Sequence, residues 1–245
     1  MNSSAAHVKF PSPRQRVGAV VVAGGESRRM GEIDKIFTDL GGKPLILHSL
    51  ETLQICHSVT DIVLVMSESR LSKGEALIAT SGLSKVTAVC AGGPRRQDSV
   101  KNGLELLTEC DWVIVQDGAR PFIQRHIVEF ALLEARHTGA SVAGVPVKDT
   151  IKTTDAGGHV IDTIPREGLW AIQTPQAFRR DLLLQAHTEV TDDVTDDAAM
   201  VERIGVKVKV FPGSYDNIKV TTPGDIPLAE AILKSILQSA QEAGR

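Results

Sequence analysis

The chain has 245 residues, 42% hydrophobic and 23% charged, with a formal net charge of −3. This length suits one large α/β domain or two small ones, and the slightly acidic balance argues against a general nucleic-acid binder, which needs a broad basic face. Three cysteines without a CxxC pair and seven histidines without HExxH point to reduced thiols and no zinc site. No apolar run approaches the ~20 residues that span a membrane. The N-terminal MNSSAAHVKFPSPRQR has two prolines and no apolar signal core. A cytoplasmic protein is therefore expected, with residues 1–16 as a flexible extension.

VGAVVV (17–22) reads as a strand apolar on both faces, and it runs into AGGESRRMGEIDK (23–35). Gly24 and Gly25 let the backbone approach a ligand closely. N–H groups of such a loop can cradle phosphate oxygens, and Arg28, Arg29 and Lys35 add fixed positive charge. The pattern is neither GxGxxG nor GxxxxGK[ST], which weighs against dinucleotide and P-loop readings. A glycine turn with solvated arginines is the plain alternative. LILHSLETLQIC places Ile46, Leu50 and Leu53 on one helix face, and DIVLVM (61–66) and KVTAVC (85–90) read as strands. AGGPRRQDSV (91–100) repeats the order of strand, glycines and cations. Its Arg95, Arg96 and Ser99 suit an anion or a base edge, or only a loop and a first helical turn. Val100, Leu104 and Leu107 share a face of the next helix.

WVIVQ (112–116) ends in DGARP, so Asp117 sits at the carboxyl end of an apolar strand, where open α/β sheets bind ligands. It is placed to hold a divalent metal such as Mg²⁺, which takes single carboxylates together with phosphate oxygens. Arg120 could neutralise phosphate; a turn-forming Asp is the alternative. A helix over 125–137 stops at Gly139, and ASVAGVPV (140–147) is a further strand. DTIKTTDAGGHVIDTI then alternates with period 2 around a DAGG turn, a β-hairpin arm within about 148–172. Such an arm buries little alone, so a second subunit is its natural cover. REGLWAIQTPQAF (166–178) carries Arg166, Thr174 and Gln176 around Trp170, and reads as hairpin packing or an interface anchor. Helices come next near 179–188 and 196–204, the acidic TDDVTDDAA serving as turn and helix start. After strand KVKVF (207–211), a last helix begins at Pro223 under a Thr222 cap. Lys219, in a short strand of YDNIKVTTPGD, is an edge guard or a ligand for something negative. The expectation is one α/β domain, 17–240, with a doubly wound, mostly parallel sheet and a protruding hairpin arm.

In this order, AGGESRRMG with Lys35, AGGPRRQDSV, DGARP, VPVKDTIK, REGLW, QTPQAF, TDDAA and DNIKVTTPGD closely resemble one family, the 2-C-methyl-D-erythritol 4-phosphate cytidylyltransferases. These belong to the Rossmann-like nucleotidyltransferases with a glycine-rich signature loop. The resemblance runs from about Arg16 to the final helix. It implies transfer of CMP from CTP, with Mg²⁺, to methylerythritol phosphate: the phosphate monoester attacks the α-phosphorus in line and pyrophosphate leaves. It implies that Arg29 and Lys35 hold the triphosphate through the transition state, with Lys219 a third catalytic cation. Ala23, Gly24 and Gly25 would wrap CTP, and Gly93, Arg96 and Ser99 would serve its cytosine and ribose end. Asp117 would attend nucleotide and metal, while Arg120, Thr150, Arg166 and Thr174 would gather around the acceptor. The arm would interlock a homodimer, with Thr150 and Arg166 serving the partner's site.

The chain departs from the family pattern at Asp34 and Ile36, where proline and glutamine are usual, and at Ala23-Gly24-Gly25, where alanine–alanine–glycine is frequent. Taken alone, the loop is as similar to molybdenum-cofactor guanylyltransferases; the downstream motifs favour cytidylyl transfer. A ribitol 5-phosphate cytidylyltransferase and a non-catalytic nucleotide-binding protein are the alternatives.

Overall fold

Alternation along the strands sends apolar side chains to both faces of one sheet. In β1 (Val17–Val22), Ala19 and Val21 face one core and Val20 the other. β2 (Asp61–Met66) and β4 (Trp112–Asp117) do the same, with Ile62, Leu64 and Ile114 on the first face and Val63, Val65, Val113 and Val115 on the second. A sheet buried on both faces needs helices on both. α1 (Leu45–Ile55) and α4 (Arg125–Thr138) cover the first. α3 (Arg96–Glu105), α5 (Arg180–Glu189) and α6 (Asp197–Arg203) cover the second. The structure, a computed structural model, describes residues 15–25 and 34–243. Arg28, Arg29 and most of the expected N-terminal extension lie outside the described residues.

Seven strands form the main sheet in the order β3-β2-β1-β4-β8-β5-β9, with β3 at Val86–Ala91, β5 at Ala140–Pro146, β8 at Trp170–Arg179 and β9 at Lys209–Pro212. Pairing is parallel except on the two sides of β8, which runs antiparallel to β4 and β5. The expected strands from 17 to 146 recur within a residue or so. β8 does not: the segment read as hairpin packing is an inner strand of the sheet. β6 (Ile151–Thr154) and β7 (Val160–Ile164) form a separate antiparallel pair, and Trp170 already pairs with Pro146 in the main sheet.

Two further differences concern helices. α2 (Leu71–Ser81), absent from the expected elements, comes directly after a 3-10 turn at Glu68–Arg70. The last helix, α7 (Asp225–Ala243), begins two residues later than expected. Its start is not capped by Thr222; instead the Asp225 carboxylate accepts the N–H groups of Thr221 and Thr222 at 2.7 and 2.8 Å. Gly139 closes α4 with φ +89°, as its position suggested. Arg16 pairs with Asp61 at 2.8 Å and Trp112 Nε1 donates to Gln15 Oε1 at 3.0 Å, so residues 15 and 16 are fastened to the sheet.

The chain lays down β1, β2 and β3 outward in one direction and then returns to place β4 on the other side of β1. The carboxyl ends of β1 and β4 therefore flank the point where the winding reverses, the usual crevice for a ligand in such sheets.

Candidate active site

A cavity of about 630 Å³ opens at that reversal point, within the range of small-molecule sites. The loops at the carboxyl ends of the parallel strands line it: Ala23, Gly24 and Gly25 after β1, Ser67 and Glu68 after β2, Gly92, Gly93, Pro94 and Arg95 after β3. Asp117 ends β4, and Lys35 and Lys219 arrive from the segments before α1 and before α7. Among the described residues, lysines and arginines on the lining outnumber carboxylates four to two, a balance that favours an anion.

The second glycine loop is held from inside. Ser99 Oγ accepts the Gly93 N–H at 3.1 Å and lies 3.2 Å from Arg95 O. A Cβ on Gly93 would stand 2.4 Å from Asp98 Cβ, so only glycine permits this turn onto α3. Asp98 accepts the Arg95 N–H at 3.1 Å, closing the first helical turn.

At the centre is Asp117, only 6% exposed. Its Oδ1 lies 3.2 Å from Arg96 Nε; its Oδ2 lies 2.8 Å from Lys219 Nζ and 3.6 Å from Arg120 Nε. Burial alone would raise its pKa, but Arg96, Lys219 and Arg120 outweigh that and hold the carboxyl well below the usual carboxylate range. Arg96 reaches further, with Nη1 donating at 2.6 Å to Asp197, which is wholly buried at the start of α6. Burial disfavours the charged Arg96, yet the two carboxylates raise its pKa. For Arg120, burial dominates and lowers the pKa, with Asp117 opposing.

Buried amides and a hydroxyl fix this cluster. Thr174 Oγ1 accepts the Asp117 N–H at 3.0 Å. Asn217 Nδ2 donates to Thr174 O at 2.8 Å, and Asn217 O accepts Arg120 Nη1 at 2.7 Å. Gln176 Nε2 donates to Asp196 at 2.7 Å while its Oε1 accepts the Ala198 N–H at 3.2 Å, tying α6 to β8.

Of the expected site residues, Ala23, Gly24, Gly25, Lys35, Gly93, Arg96, Ser99, Asp117 and Lys219 line the cavity. Arg120 and Thr174 stand behind it as supports of Asp117. Thr150 and Arg166 are exposed on the hairpin and line no part of the cavity; Arg166 Nη1 donates to Lys148 O at 2.5 Å. Arg29 lies outside the described residues. Asp197, Asn217 and Gln176 carry much of the geometry. Of these three, sequence reasoning singles out only Gln176; the other two sit inside TDDAA and DNIKVTTPGD with no local signal of their own.

The family model for 2-C-methyl-D-erythritol 4-phosphate cytidylyltransferase matches residues 17–235. The chain belongs to this family. A cytidylyltransferase of that name from Dehalococcoides mccartyi is 47% identical over 220 residues, covering 90% of this chain and 97% of the relative. One from Clostridium novyi is 43% identical over 223 residues, covering 89% and 96%. Among solved structures, a 4-diphosphocytidyl-2C-methyl-D-erythritol synthase from Anaerococcus prevotii aligns with a TM-score of 0.78 at 30% identity, covering 90% of this chain and 96% of that one. The enzyme from Thermus thermophilus aligns with a TM-score of 0.74 at 29% identity, covering 88% and 98%.

The donor set bears on Mg²⁺. No group of three His, Cys, Asp or Glu among the described residues could hold a metal ion. Asp117 is a single carboxylate with both oxygens facing cations. The described residues therefore do not fit a metal resident in the free cytidylyltransferase. Among the described residues, Asp117 would be at most one ligand of an ion held mainly by a nucleotide.

Proposed function

We infer that this chain transfers CMP from CTP to 2-C-methyl-D-erythritol 4-phosphate, releasing pyrophosphate, in the non-mevalonate route to isoprenoid precursors. Family membership over residues 17–235 carries the reading, and the cationic cavity at the sheet's reversal point supports it. The acceptor's phosphate monoester is already a nucleophile, so the protein needs no activated serine or cysteine. Its work is to bring two polyanions together and to offset charge that grows at the α-phosphorus. Lys35 and Lys219 are suited to that task, and Arg29 of the signature loop is proposed to join them. The loops at Gly24–Gly25 and Gly93 offer backbone to the nucleotide, with Ser99 fixing the second. Arg96 and Arg120 hold Asp117 in place and contribute to the positive field. Mg²⁺ is proposed to arrive with CTP, bound mainly by triphosphate oxygens.

The deciding assay is pyrophosphate release with CTP, Mg²⁺ and methylerythritol phosphate, run beside ribitol 5-phosphate and with GTP for CTP. Release confined to CTP with methylerythritol phosphate is expected. Release confined to ribitol 5-phosphate, or to GTP, overturns the substrate assignment, and CTP binding without turnover leaves a nucleotide-binding protein.

We further propose a cytoplasmic homodimer joined through the hairpin. Val160, Ile161, Trp170 and Ile172 are exposed apolar residues on β7 and the near end of β8, apolar surface that wants cover. Thr150 and Arg166, which line no part of their own cavity, would then serve a partner's. Sedimentation at micromolar concentration is expected to give twice the chain mass, and excision of 151–164 to leave the monomer. A monomeric intact chain overturns this. Three free thiols at Cys56, Cys90 and Cys110 agree with a reducing compartment, and no helix of the described residues is long and apolar enough to cross a membrane.

A further inference from the structure

Neither the Asp117 cluster nor the glycine loops account for Asp34. It immediately precedes Lys35 and Ile36, both on the cavity lining. Its Oδ2 lies 3.2 Å from Arg70 Nε and 3.7 Å from Lys73 Nζ. Arg70 ends the 3-10 turn whose beginning puts Ser67 and Glu68 on the same lining. One carboxylate therefore ties together two segments of the cavity wall, the one after the signature loop and the one after β2. Asp34 Oδ1 and Arg70 Nη1 are both shut off from solvent, so the pair is screened less than an open surface pair.

The rest of this turn is pinned on its far side. Asp34 O accepts the Phe37 N–H at 3.0 Å and the Thr38 hydroxyl at 3.1 Å. Ile36 is buried, and its carbonyl accepts the Ile46 N–H at 3.1 Å. Lys73 Nζ also lies 3.9 Å from the centre of the Phe37 ring. Lys35 is thus bracketed by a core anchor at Ile36 and an ionic anchor at Asp34. The aspartate achieves restraint through charge, which can be removed or reversed by substitution.

We propose that Asp34 is a positioning residue: through Arg70 and Lys73 it holds Lys35 in register with the triphosphate of the incoming nucleotide. This rests on CTP being the nucleotide substrate. In the full chain, Asp34→Asn and Arg70→Gln are each expected to lower kcat/KM for CTP about tenfold, equivalent to ~1.4 kcal/mol. The KM for methylerythritol phosphate stays unchanged, and the melting temperature moves by no more than about 3 °C. The double variant is no worse than either single one, because both remove the same tether. Asp34→Glu keeps the charge and recovers most of the loss, as does the reversed pair of Asp34→Arg with Arg70→Asp. Wild-type kcat/KM in both single variants overturns the tether. So does a loss that neither Asp34→Glu nor the reversed pair recovers, since that pattern belongs to general disturbance of the turn. A wild-type chain that releases no pyrophosphate from CTP overturns the CTP reading itself. A wild-type chain that does release it, beside unaffected variants, overturns the tether alone.

Discussion

Asp117→Asn is expected to cost about 3 kcal/mol of stability, the scale on which a buried ion pair fails when one partner is removed, and so to lower the melting temperature by about 6–12 °C. The reason lies in the charges left behind. Arg96, Arg120 and Lys219 all converge on this carboxylate. Asparagine keeps the shape but offers no charge, and it puts an amide donor toward cations that can only donate. Asp197 can still compensate Arg96, so the fold is expected to persist. Differential scanning calorimetry measures the shift, and a variant as stable as wild type would show that the cations relax into solvent at no cost.

The same residue sets a pH dependence whose sign is fixed. Its carboxyl is held well below the usual carboxylate range in the folded state. Its contribution to stability is therefore complete above the ordinary carboxylate pKa of about 4, and it is lost only as the pH falls through the depressed folded value. Between pH 5 and 9 Asp117 does not titrate. An acid limb in kcat/KM within that window does not come from Asp117; the substrate phosphates supply one, the acceptor's phosphate monoester having its second ionisation near pH ~6.

The parallel half of the fold was legible because its physics is local. VGAVVV and DIVLVM are buried on both faces, the mark of inner parallel strands, and VGAVVV also carries a glycine loop at its carboxyl end. The strand Trp170–Arg179 was not legible for a reason its pairing shows. It carries buried Gln173, Thr174 and Gln176, and a proline inside a run demotes it as a central strand. Pro175 is tolerated because the register with β5 shifts between Val142 and Gly144, opposite residues 173–175. The cavity shows the same division. Glycine loops and strand-end Asp117 announce themselves, because backbone approach and the end of a strand leave a sequence signature. Asp197 does not, since its partner Arg96 lies 101 residues away and its own neighbourhood reads as a helix start. Buried polar supports such as Asn217 are chosen by the cavity they complete, and that choice is made only once the sheet is closed.

Lys219→Met is expected to lower kcat about a hundredfold, the ~3 kcal/mol typical of removing one stabilising group at a developing charge, with the fold intact. Methionine keeps the length and apolar stem of the side chain. Asp117 retains Arg96 and Arg120 as partners, so no carboxylate is stranded, unlike the Arg120 and Lys219 cations left by Asp117→Asn. The lysine's Nζ is tied to Asp117 at 2.8 Å while its side chain stays 39% exposed toward the cavity. It is therefore held by a fixed carboxylate and still accessible to substrate phosphates. If its charge acts mainly on the transition state, kcat and kcat/KM fall together and neither KM rises. A raised KM with unchanged kcat would make it a binding cation only. Equal rates in wild type and variant would reduce it to the counter-ion of Asp117, leaving Lys35 and the signature loop to stabilise the displacement. Single-turnover rates measured from subsaturating to saturating CTP and methylerythritol phosphate separate these outcomes, because the plateau reads the chemical step without product release and the concentration dependence reads binding.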